Sequence, residues 1–414
     1  MIVTINLKLS SVQQQKNMSL KNESVTILGA GIGGLTAAIC LLQRGARVTI
    51  FDQAKKIEGF GAGIQLSPNG FGVMSSLGLA SELIAKGNIL EFINVQNFKD
   101  STFSSRVNLM RVTHGNNNPH LVIHRSDFIH ILIKKVLDLG AKINFGKKAS
   151  HINYNNKEIE IFFSDQSKHI AKLLVGADGI HSIARKSIGY NKPPKFMGKV
   201  AWRTVIESKF VPLFDLPSEA TIRFGPNRHM VTYPMQNGKL VNLVAVEKRN
   251  EWVAEGWNYS DKRESLEQSF KNWPVNVLKL LSVVEDVKLW GLFSHEIPAK
   301  WHSCGIVLIG DACHPMVPFL GQGANMAIED AWVLGEELDN SVNFNDGLKK
   351  YQARRINRVK KVSRASLANG DIYHADGVKA KIIDIGLKAS FKLKPSFIQS
   401  KYDWLYGVDV SRGD

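Results

Sequence analysis

Residues Ser24–Asp52 read SVTILGAGIGGLTAAICLLQRGARVTIFD, and the order of residue types in this stretch decides the fold. Ser24 to Leu28 is a short apolar run that ends in glycines, Leu35 to Gln43 has helical character, and Arg47 to Phe51 is a second apolar run. This predicts one βαβ unit. Gly29, Gly31 and Gly34 give G-x-G-x-x-G at the turn from strand to helix. The first glycine permits a tight turn, the second lets a pyrophosphate approach backbone N–H groups at a helix start, and the third lets helix and strand pack closely. Asp52 lies 18 residues past Gly34 at the end of the second strand, placed to accept a hydrogen bond from ribose hydroxyls. The unit is built for a dinucleotide; the motif alone does not separate FAD from NAD.

Downstream, Ser126–Leu139 opens with capping residues, carries apolar side chains at helical spacing and is followed by Gly140, which predicts a helix. A strand follows at Lys142 to Phe145, and alternating runs at Ser150–Tyr154 and Glu158–Phe163 around Asn155 and Asn156 predict a hairpin leading to the strand Leu173–Gly176. From about Phe196 to Val246 the chain changes to β-like runs separated by turn signals, Gly225-Pro226-Asn227 and Gln236-Asn237-Gly238. This is a separate antiparallel sheet and the natural place for a substrate. After about Lys288 the first style returns, with a strand at Gly305–Ile309, a glycine-bearing loop and a helix from about Ala324 to Leu338.

The expected architecture is therefore α/β. A discontinuous Rossmann-like nucleotide domain takes residues 24–95, 120–195 and 288–342, an inserted antiparallel substrate domain takes 96–119 and 196–287, and 343–414 are a helical C-terminal region. Residues 1–23 form a loose polar extension in which Met18 is an alternative start. In the C-terminal region Ala380–Lys394 is a basic amphipathic stretch, expected to pack on its own domain but able to touch a membrane surface or a partner.

A chain of 414 residues with 44% hydrophobic content buries a large core. No run of eighteen apolar residues and no secretory pattern at the start point to a cytoplasmic protein without a transmembrane segment. Cys40, Cys304 and Cys313 are too few for a disulfide framework and are expected to be buried, which fits a reducing compartment. The net charge of +16 is spread along the chain without a run of basic residues, so a lysine-rich surface or anionic small ligands account for it better than nucleic acid. No His, Cys or carboxylate cluster has metal-ligand spacing; His295-Glu296 alone makes no zinc motif.

Two later segments narrow the cofactor: Gly176-Ala177-Asp178-Gly179 and Gly310-Asp311-Ala312-Cys313-His314-Pro315, each after an apolar strand. They resemble the DG and GD signatures of single-component flavoprotein aromatic monooxygenases of the p-hydroxybenzoate hydroxylase fold. The chain from Ser24 onward is similar to their salicylate hydroxylase-like branch. The resemblance rests on GAGIQLSPNG from Gly61, HRSDF from His124, VGADGIHSIAR from Val175, IGDACHPMVPFLGQGANMAIEDA from Ile309 and YDWLYG near the C-terminus. It implies non-covalent FAD, NADH or NADPH as co-substrate, and oxygen insertion into a small aromatic ring by a monomer or homodimer. It also implies that Asp311 holds the ribityl chain, that the backbone of Gly321, Gln322, Gly323, Ala324 and Asn325 lies against the flavin ring, and that Gly63 and Gln65 line it. Arg125 would sit near the pyrophosphate or ring, Asp178 where FAD and NAD(P)H contacts overlap, and Pro318 beside the substrate. A glycine-rich loop entering a helix supplies unpaired N–H donors and a positive dipole end, suited to an anionic reduced flavin. Asp178 is alternatively the cap of a helix beginning near Ile180. Asp52 departs from the family, where glutamate is usual.

His229 and Tyr233 stand four apart in a predicted strand and so share a face. Hydroxylation by oxygen activated on a flavin is electrophilic, so a base at a phenol makes the ring more reactive, and histidine suits that near neutrality. In relatives a His and Tyr at this spacing play such roles; the alternative is an ordinary sheet histidine. Arg203 and Arg223 are candidates for a substrate carboxylate, or surface ion-pair residues. The open alternatives to hydroxylation are an NAD(P)H oxidase or reductase on the same fold, and a catalytically idle flavin-binding protein.

Overall fold

The computed structural model describes residues 20–413 apart from 57–62, 98, 100–102, 112–116, 156, 212–218, 251–258 and 394–400. Gly61, Asn156 and most of the N-terminal extension thus lie outside the described residues. The extension stops before Leu20, whose side chain is fully buried and whose N–H donates to Asp339.

The opening stretch folds as strand Ser24–Leu28, helix Ile32–Gln43 and strand Arg47–Phe51. The helix starts three residues before its apolar pattern does, because the second half of the glycine loop forms its first turn. Val25 stands opposite Val48 on one side and Leu173 on the other, both in parallel register. The sheet continues to Ile306–Leu308 beyond Leu173–Gly176 and to Lys142–Asn144 beyond Arg47–Phe51, all parallel, with His302–Ser303 as an antiparallel edge. Helices Ile32–Gln43, Arg125–Asp138 and Gly323–Asp339 pack around it. Parallel strands covered on both faces read as continuous apolar runs, which is why they were visible in the sequence.

A second, eight-stranded sheet among the described residues has the order Tyr259–Asp261, Val287–Ser294, Lys195–Glu207, Leu240–Lys248, Arg228–Met235, Ala220–Gly225, Phe92–Asn97, Phe103–Asn108. Its pairings are antiparallel except that Ala220–Gly225 runs parallel to Phe92–Asn97. The divisions at 95/96 and 287/288 fall inside or beside strands of this sheet, because Phe92–Asn97 and Val287–Ser294 pair into it. One face, carrying Val200, Trp202, Leu243 and Ala245, packs on helices Arg263–Phe270 and Val275–Ser282. The other face looks toward the nucleotide sheet. The two turn signals are real turns: Asn227, Gln236, Asn237 and Gly238 all have positive φ.

The C-terminal region is the helix Phe344–Tyr373, the helix Gly377–Leu393 and a short turn of helix at Asp403–Tyr406. Gly377–Leu393 packs against Phe103–Asn108, with Ser104 donating to Asp384, and leaves Val378, Ile382 and Ile385 exposed. No helix among the described residues is long and apolar enough to cross a membrane. Cys40 and Cys313 are buried, but Cys304 is exposed, held in a left-handed turn before the strand Ile306–Leu308.

A network of buried charges joins these parts. Arg355 donates to Asp330 and Glu329, and Arg358 donates to both oxygens of Glu329 and to the carbonyls of Trp404 and Leu405. Glu329, Asp330 and Arg355 are each at most 1% exposed. Removing Arg355 leaves two buried carboxylates each short of a cation, so Arg355→Met is expected to cost on the order of 3–5 kcal/mol. Thermal unfolding of the holoprotein checks this; a melting temperature equal to wild type contradicts it.

Candidate active site

The glycine loop is held by backbone crowding. Gly29 has φ +104°, and a Cβ there would lie 2.3 Å from the Ala177 carbonyl oxygen; at Gly34 it would lie 1.9 Å from the carbonyl oxygen of Gly29. Gly31 differs, since a Cβ there meets nothing within 4 Å. It lines a cavity of about 370 Å³. The outer glycines therefore close the turn and the middle one faces open space, the division that a pyrophosphate at the helix start requires. Asp52 accepts from the N–H of Ala30 at 2.6 Å and of Ala54 at 2.8 Å, so it first of all holds the loop. Each oxygen keeps lone-pair capacity for a ribose hydroxyl.

The same cavity is lined by Gln65, Arg125, Ala177, Gly179, His181, Gly310, Asp311, Pro318, Gly321, Gly323 and Ala324, brought from distant chain segments. Arg125, the first residue of the helix Arg125–Asp138, and Asp311, after the strand Ile306–Leu308, both open onto it. The surrounding protein pushes the Asp311 carboxyl up, against His314 and Arg125, and pushes Arg125 down, against Asp311. Gly321 takes a left-handed conformation (φ +63°) that ends the Pro318–Leu320 turn and leads into the helix Gly323–Asp339. The first N–H groups of that helix have no intrahelical acceptor, and two of its first residues line the cavity.

The side chains of Gln322 and Asn325, from the loop whose backbone is expected against the cofactor, turn away from the cavity. Gln322 donates to Ser67 at 2.9 Å and accepts from Asn69 at 3.1 Å; Asn325 accepts from the N–H of Ser67 and donates to the carbonyls of Gln65 and Gly321. Both are buried. Their side chains latch the strand Gly63–Leu66 to the helix start, so only backbone faces the cavity at this point. Asp178 takes the capping alternative: it accepts from Ser182, Ile183 and Ala184 at the start of the helix Ile183–Ser187 and is not among the cavity-lining residues. Sequence reading missed Arg185, which donates to Ile180 and Ala312 and so ties the DG loop to the GD loop. His314 supports its loop through Asp330, which also accepts from the N–H of Gly310.

Above the cavity lies the second face of the large sheet. Arg203 and Trp290 line the cavity there, with the guanidinium carbon 4.3 Å from the Trp290 ring centre. Tyr233 stands against Gly63, where a Cβ would lie 2.5 Å from its hydroxyl, and the neighbouring Asn242 accepts from the N–H of Gly63 at 2.8 Å. Burial pushes the Tyr233 phenol up, with Arg203 opposing. His229 does share this face but is not part of the cavity wall. It is 3% exposed, packs edge-on to Phe319, and its Nδ1 lies 2.7 Å from His374 Nε2. Burial pushes its ring well below the ordinary histidine value, with His374 and Lys199 adding to the effect. Arg223 falls on the opposite face: it pairs across from Met230 and donates to Thr232, because strand residues one position apart alternate sides. It does not meet the cavity.

These residues fit FAD. A glycine loop open at its middle glycine, a carboxylate after the second strand, an acid at the end of a third and a bare helix start along one continuous cavity define a flavoprotein of the two-sheet type. The FAD binding domain family matches residues 22–366, and the chain belongs to it. It is 31% identical to the 3-amino-4-hydroxybenzoate 2-monooxygenase of Streptomyces platensis, over 95% of this chain and 98% of that one. It is 31% identical to 3-hydroxybenzoate 6-hydroxylase 1 of Aquipseudomonas alcaligenes (94% and 98%) and 30% identical to the 6-hydroxynicotinate 3-monooxygenase of Pseudomonas fluorescens (83% and 90%). In fold it is similar to Klebsiella pneumoniae HpxO complexed with FAD and uric acid, with TM-score 0.83 at 23% identity over 93% of this chain and 97% of that one. A salicylate hydroxylase substrate complex gives TM-score 0.79 at 22% identity over 95% and 97%. The protein is an FAD-dependent aromatic-ring monooxygenase that uses NAD(P)H.

The glycine geometry separates folding from cofactor binding. Gly34→Ala is expected to lower the melting temperature of the apoprotein, since its Cβ meets backbone. Gly31→Ala is expected to leave that temperature unchanged and to release FAD, read as flavin absorbance after gel filtration. Equal flavin content in Gly31→Ala and wild type contradicts the placement.

Proposed function

We propose that this enzyme hydroxylates a small aromatic carboxylic acid carrying a ring hydroxyl or amino group, and that Arg203 holds the carboxylate. The observation that carries this is the state of Arg203 itself. It lines the cavity from the sheet side, its Nε is buried with no hydrogen-bond partner, and no carboxylate pairs with it among the described residues. Desolvation pushes the guanidinium down to about 10, still far above neutrality, so it is a cation awaiting an anion. Its only partner of note is the face of Trp290, which supports a planar cation and leaves its edge available. The relatives named above act on aminohydroxybenzoate, hydroxybenzoate and hydroxynicotinate, all aromatic carboxylates.

When bound, FAD supplies the electron transfer from NAD(P)H and the activation of dioxygen. The chain supplies the rest. Gly29, Gly31, Gly34 and Asp52 hold the adenosine end, Arg125 and Asp311 the middle, and Gln65, Gly321, Gly323 and Ala324 the ring end. Trp290, Leu292, Phe293, Val317 and Pro318 give the substrate region apolar walls that exclude water. We assign His229 to take the proton of the substrate's ring hydroxyl, with Tyr233 as a neutral donor beside Arg203. In the tautomer whose Nδ1–H donates to His374, the Nε2 of His229 is an acceptor, and Phe319 packs edge-on to the ring beside Pro318 of the cavity wall. Two buried free thiols are in keeping with the cytoplasm.

Arg203→Gln is expected to raise KM for the aromatic acid about 10- to 100-fold, the worth of a charge-assisted hydrogen bond, while FAD content stays the same. Steady-state kinetics on hydroxybenzoates and hydroxynicotinate, with products identified by mass, checks this; an unchanged KM removes Arg203 from substrate binding. His229 works as a neutral base and burial depresses its proton affinity, so its acid limb lies below the ordinary value of about 6.5. Turnover is expected to be level from pH 7 upward and to fall only as pH drops through that lower value. In His229→Asn that limb disappears and kcat drops at least about tenfold. A variant with wild-type kcat and pH profile contradicts the assignment.

A further inference from the structure

The strand Val287–Ser294 separates two cavities. Gly291 to Phe293 line the one already described, and Ser294 to Ile297 line a second cleft of about 740 Å³ on the outer side. Across that cleft the long helix Phe344–Tyr373 presents Lys360, Ser363, Arg364 and Leu367, and the segment before the large sheet presents Tyr190, Lys192, Pro193 and Lys195.

The lining has a net positive charge. Four cations, Lys192, Lys195, Lys360 and Arg364, stand around one carboxylate, Glu296, which pairs with Lys192 at 2.8 Å. Lys195, Lys360 and Arg364 have no carboxylate partner among the described residues. The apolar members Met197, Pro193, Ile297 and Leu367 give the cleft a surface for a ring or a sugar face.

At its inner end is a polar group without a partner. His295 is 9% exposed, and its Nδ1 lies 2.8 Å from the Glu296 carbonyl oxygen, which can only accept. Nδ1 therefore carries the proton, and Nε2, which has no hydrogen-bond partner, is an acceptor in the neutral ring. Burial keeps the ring neutral, pushing it down to about 4. A buried acceptor of this kind is costly to leave unmade. As a neutral residue of the wall, His295 leaves Glu296 and the four cations to set the charge of the cleft.

We propose that this cleft binds a phosphate ester of the nucleotide type, with phosphate oxygens on Lys360, Arg364 and Lys195 and the sugar or base face on Pro193, Met197, Ile297 and Leu367. Such chemistry has two sources: the adenosine diphosphate part of the NAD(P)H co-substrate, or a separate nucleotide that occupies the cleft beside the active site. The co-substrate source rests on the hydroxylase reading above; the binding itself does not.

The test uses the FAD-loaded enzyme, so that the primary nucleotide site is filled, and the double variant Lys360→Gln, Arg364→Gln. Both side chains lie on the outer side of their helix, outside the catalytic and FAD machinery. ADP-ribose and ADP are titrated by calorimetry with no aromatic substrate present. Binding to wild type that weakens tenfold or more in the double variant, at unchanged flavin content, supports the cleft. Within that result, a parallel tenfold rise in the KM for NAD(P)H at unchanged kcat identifies the co-substrate, and an unchanged KM identifies a separate nucleotide. No binding to the wild-type holoenzyme, or equal binding to both proteins, overturns the proposal whether or not the enzyme hydroxylates any ring.

Discussion

The site hangs on one buried cluster of charges. Glu329 and Asp330 are consecutive residues of the helix Gly323–Asp339, both fully buried, and an isolated carboxylate in such a place would be driven to protonate. Here Asp330 is instead held down to about 2, because His314 and Arg355 outweigh its burial. Each partner brings a different piece of chain. Arg355 and Arg358 bring the long C-terminal helix, His314 and the N–H of Gly310 bring the GD loop, and Asn69 brings the segment after Gln65. Asp311 and the backbone at 321–324 are therefore positioned largely by side chains outside the cavity wall, Glu329, Asp330, His314 and Arg355.

This explains an exchange of roles between side chains and backbone. Gln322 and Asn325 stand in the loop whose backbone the sequence reading sets against the flavin, with no role given to their side chains. Their amides instead cross-link Ser67, Gln65 and Gly321, each with good geometry on both the oxygen and the nitrogen. Turning them inward leaves N–H groups and hydrogen atoms at the cavity surface, the closest approach that a flat ring can have. Asp178 follows the same logic: three acceptor contacts cap the helix Ile183–Ser187, and the neighbouring Gly179 and Ile180 form the wall.

The fold was legible wherever a residue type answers to local physics. Continuous apolar runs marked the parallel strands, the glycine spacing marked the first loop, and Asn227 and Asn237 marked turns that need positive φ. Asp311, Gln65 and Arg125 were found through motifs, and they do meet at one cavity. What was hidden depends on pairing between distant segments. Nothing local says that Phe92–Asn97 joins a sheet formed mainly a hundred residues later, or that Arg223 points to the opposite face from His229. That second fact follows from strand register, which the sequence does not number. Arg355 and Arg185 read as ordinary helical basic residues, and only the fold reveals that they are buried.

Arginine gives the sharpest contrast in the molecule. Arg355 is buried and paired with two carboxylates, and Arg185 is buried with two carbonyls on its terminal nitrogens while its Nε has no partner. Arg203 has an aromatic face and an unfilled edge, in a sheet where a hydrophobic residue of similar length would pack without that cost. What sets Arg203 apart is its place: it lies on the cavity wall with no carboxylate paired to it among the described residues. Arg203 lies on the cavity wall, on the same sheet face as Tyr233 and opposite the helix start that faces the cofactor. On the proposed reading, an anionic ring placed there is oriented at one end by the cation and flanked by the apolar walls before any oxygen chemistry begins. The overall charge of +16 assists the same ligands at longer range, since the aromatic acid and the dinucleotide co-substrate both arrive as anions.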